Sequence, residues 1–122
     1  MAKDHFVKQD YNGIYHDAAA LATDTYSAVL DFGVAGGCPD FHRVLDVGAL
    51  GTGASLVWVL YESTDDSTYT EIARKNITAA GRCVFRLDNT MVEKRYFKTH
   101  KDITLGSAAS IAVTEFDYIS ET

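Results

Sequence analysis

The segment ASLVWVLYES, Ala54 to Ser63, is the most apolar run in the chain, and its alternation decides the fold. Read as an extended strand, it sends Leu56, Trp58 and Leu60 to one side and Val57, Val59 and Tyr61 to the other. Both sides are apolar, so the segment is expected to be a central strand buried on both faces. Trp58 sits inside that unbroken run, which makes it a core residue in preference to a sugar-stacking platform.

Shorter runs of valine, isoleucine, threonine, tyrosine and phenylalanine surround it, each bounded by glycine, aspartate, asparagine or serine. TYSAVLDFG reads as a strand with Tyr26, Ala28, Leu30 and Phe32 on one face and Ser27, Val29 and Asp31 on the other. After the loop GVAGGCPD, a strand is expected to start at Val44 and Leu45 and to end near Gly48. TYTEIARKNI sets Tyr69 and Glu71 against Thr70 and Ile72, and GRCVFRLDN sets Cys83, Phe85 and Leu87 against Arg82, Val84 and Arg86. The segments KRYFKTHKDITL and ASIAVTEFDYI are expected to form a closing hairpin across Gly106 to Ala108. About seven such strands at intervals near ten residues predict an all-β fold: a two-sheet antiparallel sandwich of jelly-roll type occupying residues 20–122. HDAAALATD, His16 to Asp24, fits a helix and an extended lead-in equally well.

Residues 1–19 are expected to be an extended N-terminal arm. They carry Phe6, Tyr11, Ile14 and Tyr15 among charged residues, large side chains that would gain from burial against a neighbouring subunit.

The totals narrow the function. At 122 residues the chain has the size of one domain, with roughly two-thirds of its extended surface buried on folding. Hydrophobic residues at 47% and charged residues at 23% match a soluble globular protein, and no stretch approaches the ~20 apolar residues of a membrane span. The N-terminus lacks the apolar core of a secretory signal, so the expectation is cytoplasmic synthesis. Cys38 and Cys83 are then read as reduced thiols, with a disulfide between them the alternative. A net charge of −6 opposes nucleic-acid binding. The basic cluster KRYFKTHK, Lys94 to Lys101, mixes charge and aromatic residues on both faces, as at a sheet edge or subunit contact.

No residue pattern points to catalysis, a cofactor or a metal. Asp65, Asp66 and Glu71 lack the spacing and glycine of a calcium loop, and neighbouring carboxylates in a turn point apart, unlike a glycosidase pair. STDDST is therefore read as the turn of a hairpin. His5, His16, His42 and His100 are scattered, with none at the spacing of a zinc pair. GALGTG at 48–53 has neither the following helix nor the lysine of a phosphate loop.

The order of TYSAVLDFG, VLDVGALGTGASLVWVLYESTDDSTYTEIA and RYFKTHKDITLGSAASIAVTEFDY resembles the small jelly-roll decoration, or cement, proteins of tailed bacteriophages. The shared features are an early strand ending in Asp-hydrophobe-Gly, a long apolar strand leading into a Glu-Ser-x-Asp turn, and a closing Arg-Tyr-hydrophobe segment, over residues 20–119. The basic KTHK and the loop with Cys38 and Pro39 depart from that pattern. The resemblance implies a non-enzymatic virion protein without cofactors. It would bind the major capsid protein on the outside of an icosahedral head and associate with itself as a homodimer or homotrimer, bridging capsomers. Phe6, Tyr11, Ile14 and Tyr15, with Arg95, Lys98 and Lys101 as polar partners, are the candidate protein contacts. The rival reading is a carbohydrate-binding jelly-roll module of a phage adhesion structure, with Tyr61, Tyr69 or Tyr96 as stacking platforms.

Overall fold

The computed structural model describes residues 4–5 and 19–120. The described strands are β1 (Asp4–His5), β2 (Ala19–Leu21), β3 (Thr25–Tyr26), β4 (Leu30–Asp31), β5 (Phe41–Val47), β6 (Ser55–Ser63), β7 (Thr70–Ile77), β8 (Gly81–Leu87), β9 (Tyr96–Thr104) and β10 (Ile111–Ser120). No helix occurs among the described residues. Where a helix and an extended lead-in were both open for His16 to Asp24, Ala19–Leu21 is a strand paired with β10.

Two antiparallel sheets face each other. In the first, β1 and β2 share one edge of β10, and β5 and then β8 follow on its other side. In the second, β3 and β4 share one edge of β9, and β6 and then β7 follow. The order β2-β10-β5-β8 against β3-β9-β6-β7 is that of a jelly roll, in which the chain changes sheet at almost every connection. The β6–β7 hairpin, like the β3–β4 step, stays within the second sheet, and it holds the STDDST turn. Asp65 Oδ1 accepts the amides of Ser67 (2.9 Å) and Thr68 (3.0 Å), Ser63 Oγ accepts that of Asp66 (3.0 Å), and Asp66 takes a φ of 59°. The side chains supply the acceptors that a tight turn needs, as expected of this acidic stretch.

β6 is central as predicted, flanked by β9 and β7, but it is not buried on both faces: Val57 and Tyr61, on the outside of the sheet, are only half-buried. Leu56, Trp58 and Leu60 point into the sandwich, where the Trp58 and Phe85 ring centroids lie 4.8 Å apart. Phe41 meets Phe97 edge-on at 6.4 Å, and Leu30, Leu45, Leu87, Val92 and Ile111 close the layer. Truncating any of these leucines to alanine would cost about 2–5 kcal/mol through lost transfer energy and the cavity left behind.

Four sequence-based expectations are corrected. β9 and β10 are not a hairpin, because they lie in opposite sheets. Their connection is held across the end of the sandwich: Ser107 N donates to Thr52 O (3.0 Å), while Leu105 and Ala108 pack on the core. Gly106, at φ +58°, passes so close to the 52–54 turn that a Cβ there would lie 2.5 Å from the Gly53 carbonyl carbon.

TYSAVLDFG is not one strand. Tyr26 pairs with His100 and Leu30 with Phe97, so four steps along this segment match three along β9. The extra residue is a bulge at which Ser27 N donates to Thr99 O and Ser27 Oγ accepts the Thr99 amide, both at 2.9 Å. An odd shift reverses the alternation, so Leu30 is fully buried while Tyr26 is 52% exposed.

β5 starts at Phe41, three residues before the expected Val44, because the Phe41 ring is itself a core residue. Finally, β9 is an interior strand, so KRYFKTHK is not a sheet edge; Phe97, Thr99 and Lys101 face inward and Tyr96, Lys98 and His100 outward.

Candidate functional site

Alternation along three strands brings four charged side chains into the sandwich interior. Arg43 lies between Phe41 and Leu45 on the inner face of β5; Lys101 follows Phe97 and Thr99 on β9; Glu115 and Asp117 follow Ile111 and Val113 on β10. Arg43 Nε donates to Asp117 Oδ1 at 2.5 Å, and Nη1 to Glu115 Oε2 at 3.2 Å. From the opposite sheet, Lys101 Nζ reaches Glu115 Oε1 at 2.6 Å, Thr99 Oγ1 reaches Oε2 at 2.5 Å, and Trp58 Nε1 reaches Oε2 at 3.3 Å. The Arg43 guanidinium also stands 5.4 Å from the Phe97 ring centroid.

Two cations and two anions balance, and none is more than 4% exposed. Burial by itself raises the Glu115 pKa, but Lys101 and Arg43, together with the hydrogen bonds it accepts, outweigh that and hold the carboxyl down at about 2. Arg43 is likewise pulled down by burial and carried above its ordinary value by Asp117 and Glu115. Closed to solvent and saturated with donors from both sheets, the quartet acts as a clamp between the layers.

Sequence reading missed this cluster. The available signal was phase: Arg43, Lys101, Glu115 and Asp117 each occupy the apolar register of their own strand.

The clamp changes the placement of the candidate contacts. Lys101 is turned inward onto Glu115 and is not a surface residue. Arg95 and Lys98 do lie on the outer face of the second sheet. Arg95 forms a bidentate pair with Asp31 at 2.6 and 2.9 Å, which, with the Gly33 amide, lowers the Asp31 pKa to about 2. Phe6, Tyr11, Ile14 and Tyr15 lie outside the described residues.

That outer face gathers aromatic side chains. The register places His100 beside Tyr26 and Val59, Lys98 beside Tyr61, and Tyr96 beside Asp31 and Ser63. Ring centroids are 4.3 Å apart for Tyr26 and His100 and 6.4 Å apart for Tyr26 and Tyr61. Lys98 Nζ stands 4.2 Å from the Tyr26 centroid and 4.1 Å from that of Tyr69. Tyr61, Tyr69 and Tyr96, separated in the sequence, thus share one surface with Tyr26. The Tyr69 hydroxyl donates to Asp66, and burial with that carboxylate pushes its pKa up. The Glu71–Arg74 pair borders the face at 2.7 Å.

On the outer face of the first sheet lies a shallow depression of about 230 Å³ over Asp46, Gly48, Ala112 and Thr114. It falls below the roughly 300–1,000 Å³ of ligand pockets. Cys38 and Cys83 are free thiols, as read from the sequence.

No protein-family model and no curated protein matches the chain. Among solved structures, it is similar to the CBM22-1–GH10 modules of Clostridium thermocellum xylanase 10B, a structure obtained with xylohexaose. The identity is 12% and the TM-score 0.45, over 90% of this chain and 25% of that one, so the chain spans about a quarter of that structure's length.

Proposed function

We propose that the chain is a decoration protein of a tailed-phage capsid, which binds the outer surface of the head and bridges adjacent capsomers as a small homo-oligomer. The observation that carries this reading is the clamp: Glu115 takes hydrogen bonds from β5, β6 and β9, tying both sheets into one stiff body. A staple works through rigidity. A stiff block with several modest contacts gains from their simultaneous engagement, because each later contact forms at high effective concentration. The likeness of residues 20–119 to the cement proteins supports the same reading, since the jelly roll it implies is the fold described above.

The contact with the shell or a neighbouring copy is proposed to run through the arm residues Phe6, Tyr11, Ile14 and Tyr15. An arm and one face together reach the ~800 Å² per partner of a standard interface. Asp4 and His5, as β1, pair with the end of β10 in the first sheet.

The test is co-sedimentation of the full chain with expanded, empty phage heads, alongside a chain lacking residues 1–18. Saturable binding that weakens in the shortened chain, with a raised disruption temperature of the heads, supports the proposal. Absence of the intact chain from the pelleted heads sinks it.

A further inference from the structure

The outer face of the second sheet lies across the sandwich from β1 and carries more aromatic surface than a sheet face needs. Tyr26 leans over β9 towards His100 and Lys98, yet remains 52% exposed. Tyr61 and Tyr69 flank it, Tyr96 lies further along β9, and none of these rings belongs to the core cluster.

The patch is small. From Tyr96 to His100 it runs four residues, about 13 Å, and from β3 to β6 it crosses two strand spacings, about 10 Å. That is far below the ~800 Å² a protein partner requires on each side. Its charges do not favour one sign either. Arg95 is matched by Asp31, Arg74 by Glu71, and Lys98 is held between two tyrosine rings. The rim offers donors and acceptors together: the Glu71–Arg74 pair on one side, Asp102 beside His100 on the other. A flat aromatic centre with a mixed, charge-balanced rim suits a ligand that is apolar on its ring face, hydroxylated at its edge and uncharged.

From this geometry we infer that the outer face of the second sheet binds a neutral saccharide, with one sugar ring lying on Tyr26 and its hydroxyls reaching Asp102 and the Glu71–Arg74 pair. The site is separate from the proposed capsid contact and does not depend on it. A head-bound copy held by its β1 side would turn this face outward.

The experiment is an array of immobilised neutral and acidic oligosaccharides probed with the full chain, followed by calorimetric titration of the best neutral glycan into wild type, Tyr26→Ala, Tyr26→Phe and Asp102→Asn. Tyr26→Ala is expected to weaken binding about tenfold or more and Tyr26→Phe by less than about threefold, because the ring supplies the stacking. Asp102→Asn, on the exposed rim, weakens binding severalfold and keeps the proposal testable if Tyr26→Ala lowers the melting temperature. Silence across the neutral glycans overturns the inference. So does neutral-glycan binding that Tyr26→Ala and Asp102→Asn both leave unchanged. A Tyr26→Ala chain that no longer binds phage heads would also overturn it, since the face would then be a protein contact.

Discussion

Lys101 Nζ lies 2.6 Å from Glu115 Oε1, and that contact joins the two sheets through the middle of the sandwich. The two residues are only 14 apart in the chain, yet they sit on strands that never pair with each other. Once formed, the contact leaves each charge dependent on the other, because neither has water to fall back on.

Lys101→Met should therefore destabilise the fold by about 3–5 kcal/mol, the cost of leaving a buried carboxylate one cation short. Replacing both partners, as Lys101→Met with Glu115→Leu, should recover part of that loss, since two apolar groups carry no uncompensated charge. Urea denaturation of the single and double variants gives the coupling. Strictly additive losses would show that the two side chains do not act as a pair.

Stability should fall with acid in a window set by Glu115. Its pKa is about 2 in the folded chain against 4.5 ordinarily, so the folded state favours the ionised form. The stabilisation is fully present above about pH 4.5 and disappears as the pH drops towards 2, with a total of order 3 kcal/mol. Asp31, lowered to about 2 by Arg95 and the Gly33 amide, adds in the same direction. Urea midpoints at pH 7, 4 and 2.5 should decline steeply for wild type and less steeply for Glu115→Gln. Parallel declines would remove Glu115 as the main titrating group.

Gly106 and Gly33 both have positive φ, at 58° and 86°, but only Gly106 is enclosed by backbone. Gly33→Ala should cost about 1 kcal/mol of conformational strain. Gly106→Ala adds a steric conflict with the 52–54 turn and should cost more than twice as much. Thermal melts of the two variants separate the effects; equal shifts would mean that the β9–β10 connection yields easily.

Cys38 should be inert in the native protein. Burial, reinforced by Asp88 and Asp40, pushes its thiol up to about 12, so almost no thiolate exists at neutral pH. Half-buried Cys83 should react first with a thiol-specific reagent at pH 8, and Cys38 only in denaturant. Mass spectrometry of partly labelled protein assigns the order, and fast native labelling of Cys38 would contradict its described burial.

Much of the fold was legible because strand alternation is a local property. The phase of β6 and β8 follows from neighbouring residues alone, and the acidic turn carries its own acceptors in Ser63 and Asp65. The candidate sites were less legible. Arg43 and Glu115 look like ordinary strand charges until they are seen in the apolar register. Alternation puts Tyr26 on the same face as Leu30, and the one-residue bulge at Ser27 that separates them leaves no mark in composition.

The sequence alone determined that the chain is all-β, that the strand now seen as Ser55–Ser63 is central, and that STDDST is a turn, because side-chain alternation and turn chemistry act within a few residues. Only the tertiary structure decided that β9 and β10 belong to different sheets, and that Arg43 meets Asp117 across 74 positions. Those outcomes depend on which strands become neighbours. A charge can be buried only where its partner arrives, and that position is set by the packing of the whole chain.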